Sequence, residues 1–169
     1  YAWRKANSNI VKLWKDIENC CKEAIEYQCH VNLGRYGLSF NGHKGNLLIQ
    51  LPSSRVLTYQ QARLKDGKIS FMGMNQVSRK WEAVDTYGGK LVENIVQAIA
   101  RDCLALTMLR LQEANYHIVM HIHDEVVVEV PETEAEQHLA KIKTIMDSPI
   151  SWAPNLKLNA EAFISDYYK

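Results

Sequence analysis

The sequence predicts an α+β fold, an antiparallel sheet packed with helices, and three observations carry that expectation. Residues 9–28 and roughly 90–114 repeat apolar side chains at helical spacing. Short apolar or alternating runs at 46–51, 55–59 and 68–74 are separated by Pro52-Ser53-Ser54 and Asp66-Gly67, turn signals that suit antiparallel neighbours. No internal repeat, low-complexity segment or linker interrupts the 169 residues, so a single domain over 1–169 is expected.

The elements follow in order. In 9–28, Ile10, Leu13, Trp14, Ile17, Cys21, Ala24 and Ile25 form one stripe, and Asn7 or Ser8 can cap its start. Residues 29–45 read as irregular, with Gly34, Gly37, Gly42 and Gly45 as turn signals. The three strands come next, then a polar stretch, 79–90, that ends in Gly88-Gly89. The longest helix places Leu91, Ile95, Ala98, Ile99, Asp102, Leu106 and Leu109 or Arg110 near one face. Residues 118–122 and 126–130 read as two strands, 132–148 as a helix begun by Glu132 and Glu134, and 156–163 as a last alternating strand.

Composition narrows the class. At 47% hydrophobic and 23% charged the chain is globular, and its net charge of +1 cannot give a uniform basic field. Nucleic-acid binding would need a local patch. Cys20, Cys21, Cys29 and Cys103 lack zinc-site spacing and read as reduced thiols in a cytoplasmic setting. No apolar run of about 18 residues predicts a membrane span.

The chemistry concentrates in VMHIHDEVVVEV, residues 119–130, where His121, His123, Asp124 and Glu125 sit between two hydrophobic runs. A solvated hairpin tip is the plain reading. Yet turns between such strands ordinarily use Asn, Gly or Asp-Gly, and this one uses none of them. Adjacent carboxylates at a hairpin end suit a hard cation such as Mg²⁺, with a further carboxylate from elsewhere. His121 and His123 allow a second reading, a zinc or iron site, although His30, His43, His117 and His138 supply no matching spacing.

Two segments together carry a family resemblance. TYGGKLVENIVQAIARD (86–102) followed by YHIVMHIHDEVVVEVP (116–131) resembles the C-terminal part of family A DNA polymerases, the phage-encoded and mobile-element branch of the DNA polymerase I family. LIQLPSSRVLTY (48–59) resembles that branch's Leu-Pro-Ser-Gly-Arg segment, with Ser54 where Gly is usual, and 152–169 resembles the end of those enzymes. The resemblance implies a partial palm subdomain whose hairpin is motif C. It implies that Asp124 binds catalytic Mg²⁺, two ions in the complete enzyme, with Glu125 assisting. It implies that His123 lies against the primer strand and that Gln97 contacts the minor groove, where acceptors are similar for every base pair. The family often has Asn four residues before that Gln; here the position is Glu93, with Asn94 next, so which of them faces DNA is open. Arg55, Arg79, Lys80, Lys90 and Arg101 are candidate phosphate contacts.

The resemblance also implies parts that these 169 residues do not contain. The family's second metal-binding Asp (motif A) and its fingers helix (motif B) precede the position matching Tyr1, and Asp66, Asp85, Asp102 and Asp166 do not replace them. A chain beginning Tyr-Ala-Trp reads as a portion of a longer protein, and the resemblance implies a bacterial or phage-encoded one. The expected parent is a DNA-directed DNA polymerase acting on primer–template DNA and dNTP by two-metal nucleotidyl transfer, with this portion inactive alone. The competing readings are a non-catalytic DNA-binding remnant and a His-x-His metal-dependent hydrolase, the latter weakened by size, since such barrels need about 250 residues.

Overall fold

The computed structural model describes residues 2–168, which form two compact units divided between Ala98 and Ile99. The fold is α+β, as the sequence predicts. In the first unit a short helix α1 (Ala2–Ala6) leads into α2 (Ser8–Tyr27). An antiparallel six-stranded meander follows, β1 (His30–Leu33), β2 (Leu38–His43), β3 (Asn46–Gln50), β4 (Val56–Lys65), β5 (Lys68–Met74) and β6 (Trp81–Thr86), with each strand beside its sequence neighbours.

Helix α2 forms where the periodicity predicts it and buries Ile17, Cys21, Ala24 and Ile25 against the sheet. Ile10, the first residue of the expected stripe, is exposed. The sheet answers with Leu38, Phe40, Leu47, Ile49, Tyr59, Ala62 and Ile69, all buried. Each large apolar side chain removed from water contributes about 1.5–3 kcal/mol. Gln28 closes α2 in the left-handed region, φ 47°; its amide donates to the Ile25 carbonyl at 2.9 Å, and its Oε1 accepts from the Gly45 N–H at 3.1 Å.

Three expectations are corrected. Residues 29–45, expected to be irregular, contain β1 and β2. Gly42 belongs to β2 because a Cβ there would lie 1.8 Å from the Ala24 carbonyl oxygen, so glycine is what lets the strand reach α2. The polar stretch 79–90 contains β6, whose burial alternates. Residues 156–163, expected to be a strand, have no regular structure. There the Ala160 N–H donates to Asp147 Oδ1 at 2.6 Å and its carbonyl accepts from Lys143 Nζ at 2.7 Å, so side chains satisfy backbone that a neighbouring strand would otherwise pair.

Helix α3 (Gly88–Glu113) runs across the division between the units. Its first half buries Leu91, Val92, Ile95 and Ala98. Its second half buries Cys103, Leu104, Thr107 and Leu111, a different stripe from the one extrapolated through Asp102 and Leu106, and Leu109 is exposed. The N-terminus of α3 is held by α2: the Gly88 N–H donates to Glu18 Oε2 at 2.8 Å.

In the second unit, β7 (His117–Ile122) and β8 (Glu125–Glu129) form an antiparallel hairpin with a bulge between Ile118 and Met120. A 3₁₀ turn (Glu132–Glu134) leads into α4 (Ala135–Met146), so the predicted helix starts with a tighter turn and ends two residues early. Arg110 donates to the Ser148 and Pro149 carbonyls at 3.1 and 2.7 Å, and the Tyr116 hydroxyl meets His138 Nδ1 at 3.1 Å. All four cysteines are free thiols, and burial pushes the Cys21 thiol well above its ordinary pKa. No helix among the described residues is long and apolar enough to cross a membrane.

Candidate functional site

The β7–β8 hairpin closes through the two-residue loop His123-Asp124, with Ile122 paired to Glu125. The chain therefore reverses at the residues the sequence singles out. His123 takes φ 50°, in the left-handed region. That conformation costs a non-glycine residue about 1–2 kcal/mol, although His enters it more readily than most. A turn with positive φ at its first central residue ordinarily uses Gly there. Histidine is thus a less stable choice than glycine at this position of the loop.

His123, Asp124 and Glu125 are all exposed. Along β7 exposure alternates, so His117, Val119 and His121 are outward while Ile118, Met120 and Ile122 are half-buried. The imidazole of His121 therefore belongs to the open side of the hairpin, opposite Val126. The Tyr168 hydroxyl donates to Glu125 Oε2 at 3.3 Å. Partial desolvation first, and the Glu125 carboxylate second, push the Tyr168 hydroxyl above its usual pKa. Sequence reasoning missed Tyr168, because nothing in its local pattern links it to a residue 43 positions earlier.

Asp124 and Glu125 fit a divalent cation in kind, as solvent-accessible hard oxygen donors. The fit does not extend to number: among the described residues, no group of three His, Cys, Asp or Glu side chains converges as a metal site. The same holds for the His-x-His pair, whose second member leaves strand geometry at the turn.

The remaining predicted residues lie on α3 and β4. Lys90, Asn94, Gln97 and Arg101 follow one another at helical i, i+4, i+7 and i+11 spacing on α3. Lys90 Nζ lies 3.0 and 3.1 Å from the two Glu93 carboxylate oxygens, so the acid is compensated by its neighbour one turn away. Asn94 is half-buried and donates from Nδ2 to the Tyr59 hydroxyl at 2.9 Å. Tyr59 in turn packs edge-on against Phe71, ring centroids 4.9 Å apart. Asn94 and the exposed Gln97 line an open depression of about 400 Å³ with Leu57, Thr58, Tyr59 and Phe71. Asn94 thus lines this depression with Gln97, and Glu93 does not, although Glu93 is exposed one turn before Gln97 on the same helix. Arg55 Nη2 donates to the Ala98 carbonyl at 2.7 Å, which ties the turn before β4 to the same helix. Arg79 and Lys80 lie exposed in the loop between β5 and β6.

Comparison with known proteins gives two partial relatives. The chain is 48% identical over 174 residues to a DNA polymerase of Bacillus phage SP02, an alignment that covers 99% of this chain and 26% of that protein. It is 37% identical over 57 residues to a thermostable DNA polymerase I of Thermus filiformis, covering 31% of this chain and 7% of that protein. No family model and no solved structure matches. The chain is therefore similar, over nearly its whole length, to part of a DNA polymerase, and it spans about a quarter of the length of that phage relative.

Proposed function

We propose that this chain is the palm portion of a DNA-directed DNA polymerase of the DNA polymerase I type. The whole enzyme extends a DNA primer: its 3′-hydroxyl attacks the α-phosphate of a dNTP and pyrophosphate leaves. The observation that carries the reading is the near-complete alignment with the phage polymerase, joined to a hairpin whose reversal falls on His123-Asp124.

In this reading Asp124 and Glu125 are the residues that hold Mg²⁺, and the cation, when bound, supplies positive charge to the phosphates of the incoming nucleotide. His123, projected from a left-handed turn, meets the primer strand. Asn94 and Gln97 present hydrogen-bonding amides to the minor groove, where acceptor positions recur in every base pair. Lys90, Arg55 and Arg101 neutralise phosphates along the duplex. Partners of the whole enzyme are primer–template DNA and dNTP.

Two carboxylates are fewer than a two-ion centre requires, so the isolated chain is expected to incorporate no labelled dNTP. Incorporation by the purified chain that Asp124→Ala abolishes would overturn that expectation. The reading frame preceding the codon for Tyr1 tests the larger reading. It should encode a second strand-borne Asp and a helix bearing Arg, Lys and Tyr; a frame encoding neither would contradict it.

A further inference from the structure

Charge is divided unevenly along the chain. Residues 1–98 carry 14 Lys and Arg against 8 Asp and Glu, a net +6, while residues 99–169 carry 6 against 11, a net −5. The overall value of +1 conceals this division. Within the basic unit, one sheet face collects cations that no ion pair among the described residues accounts for.

The face is set by a bulge. Strand β4 alternates until the register shifts between Gln60 and Arg63. There Gln61 takes φ 48°, and its N–H donates to Asn46 Oδ1 at 3.0 Å. The extra residue resets the alternation, so that Tyr59 and Ala62 are both buried while Arg63 and Lys65 are exposed. A regular strand continuing from Tyr59 would send Arg63 and Lys65 toward the core. Bulges that re-aim side chains in this way are features of function more than defects.

Across the ladder, Lys65 stands directly opposite Lys68, and Arg63 opposite Ser70. Opposed residues share a face, and like charges placed opposite each other are destabilising. None of these three cations is ion-paired among the described residues. The same face continues across β5 and β6, where Met74 is opposite Trp81, with 54% and 56% of their surfaces exposed. One acid, Asp85, lies on this face, opposite Ser70. A depression of about 380 Å³ beside the bulge is lined by Gln61, Arg63, Lys65, Ser70, Met72 and Ala83, among others. From Lys68 to Met74, β5 spans about 20 Å, with the cations at one end and the exposed indole at the other.

We propose that this outer face of β4, β5 and β6 binds single-stranded nucleic acid, with Arg63, Lys65 and Lys68 on phosphates and Trp81 stacked on a base. Charge complementarity favours it: three cations without ion-pair partners among the described residues, two of them directly opposed, are relieved by a polyanion. Cations beside an exposed aromatic are the combination that holds a single strand, because every base has a face to stack and the backbone is always charged. A duplex would satisfy the cations and leave Trp81 without a role. The proposal rests on the nucleic-acid partner of the polymerase reading but on neither Asp124 nor Glu125.

The test is fluorescence anisotropy of a labelled oligothymidine strand with the purified chain, titrated across salt, without nucleotide or divalent metal. The expected result is salt-dependent binding. The exposed-residue variant Arg63→Gln, Lys65→Gln, Lys68→Gln should then lose about tenfold or more at low salt and show a log–log salt slope shallower by about 2. Trp81→Ala should weaken binding without changing that slope, and Arg63→Lys with Lys65→Arg and Lys68→Arg should retain it. No binding by the unaltered chain, wild-type binding by the triple Gln variant, or tighter binding of a duplex through the same residues would overturn the proposal. None of these outcomes bears on primer extension, which tests the polymerase reading separately.

Discussion

Asn94 donates a hydrogen bond from Nδ2–H to the Tyr59 hydroxyl at 2.9 Å, which joins the helix of Gln97 to the core of the sheet. Tyr59 is 5% exposed, and burial raises its pKa above 10.0 while the Asn94 bond works the other way. The phenol therefore stays protonated and remains a fixed partner for the amide. Tyr59→Phe keeps the ring contact with Phe71 and removes only the hydroxyl. It should cost about 1 kcal/mol in chemical denaturation, the ordinary net worth of one such bond. Within a polymerase, it should disturb primer–template binding more than nucleotide binding.

Glu18 is a second long-range tie. Its carboxylate accepts from Lys22 Nζ at 2.7 Å and from the Gly88 N–H at 2.8 Å, at the start of α3. The Lys22 bond chiefly, with Gly88 assisting against partial burial, holds its pKa below 4.5. A carboxylate whose folded pKa is depressed stabilises fully above its unfolded value and loses that stabilisation as pH falls through the folded one. Glu18→Gln should cost about 1 kcal/mol at neutral pH, and the deficit should shrink below about pH 4.5. Thermal melts of both proteins across that range check the sign.

Gly42 has no tolerance for a side chain. A Cβ at this position would meet backbone, the Ala24 carbonyl oxygen at 1.8 Å, which α2 cannot withdraw without leaving β2. Gly42→Ala should destabilise by about 3 kcal/mol or more, at the upper end for overpacking. An alanine variant with unchanged denaturation midpoint would show that α2 and β2 are not in this contact.

His123 should show the opposite trade. Relief of its left-handed backbone by His123→Gly should leave stability unchanged or raise it by up to about 1 kcal/mol. If the imidazole meets the primer, the same change should weaken primer-end binding. A glycine variant that is markedly less stable would mean the imidazole is held by packing instead.

The sequence made the helices and the hairpin legible because each announces itself locally. Ile17, Cys21 and Ala24 repeat at helical spacing, and the interruption of VMHIHDEVVVEV by polar residues marks the loop itself. Strand β2 was hidden because Gly42, counted as a turn signal, belongs to its buried face, a fact set by α2. Residues 156–163 misled for the reverse reason: alternation describes a strand only if an edge exists to pair with, and the side chains of Lys143 in α4 and of Asp147 just after it take that place. The bulge at Gln61 that turns Arg63 outward is bonded to the side chain of Asn46, which lies 15 residues away. Of the candidate site, the residue types at the turn were readable; the tie of Asn94 to Tyr59 and of Tyr168 to Glu125 was not, since each partner comes from a distant segment.

The most direct test replaces the matching quarter of the phage SP02 polymerase with this chain and measures primer extension on a primed single-stranded template. If Asp124 holds the catalytic cation, the chimera should extend the primer and Asp124→Ala should lower its rate by about 100-fold or more, as for loss of a group that stabilises transition-state charge. Extension that survives Asp124→Ala undiminished would contradict it.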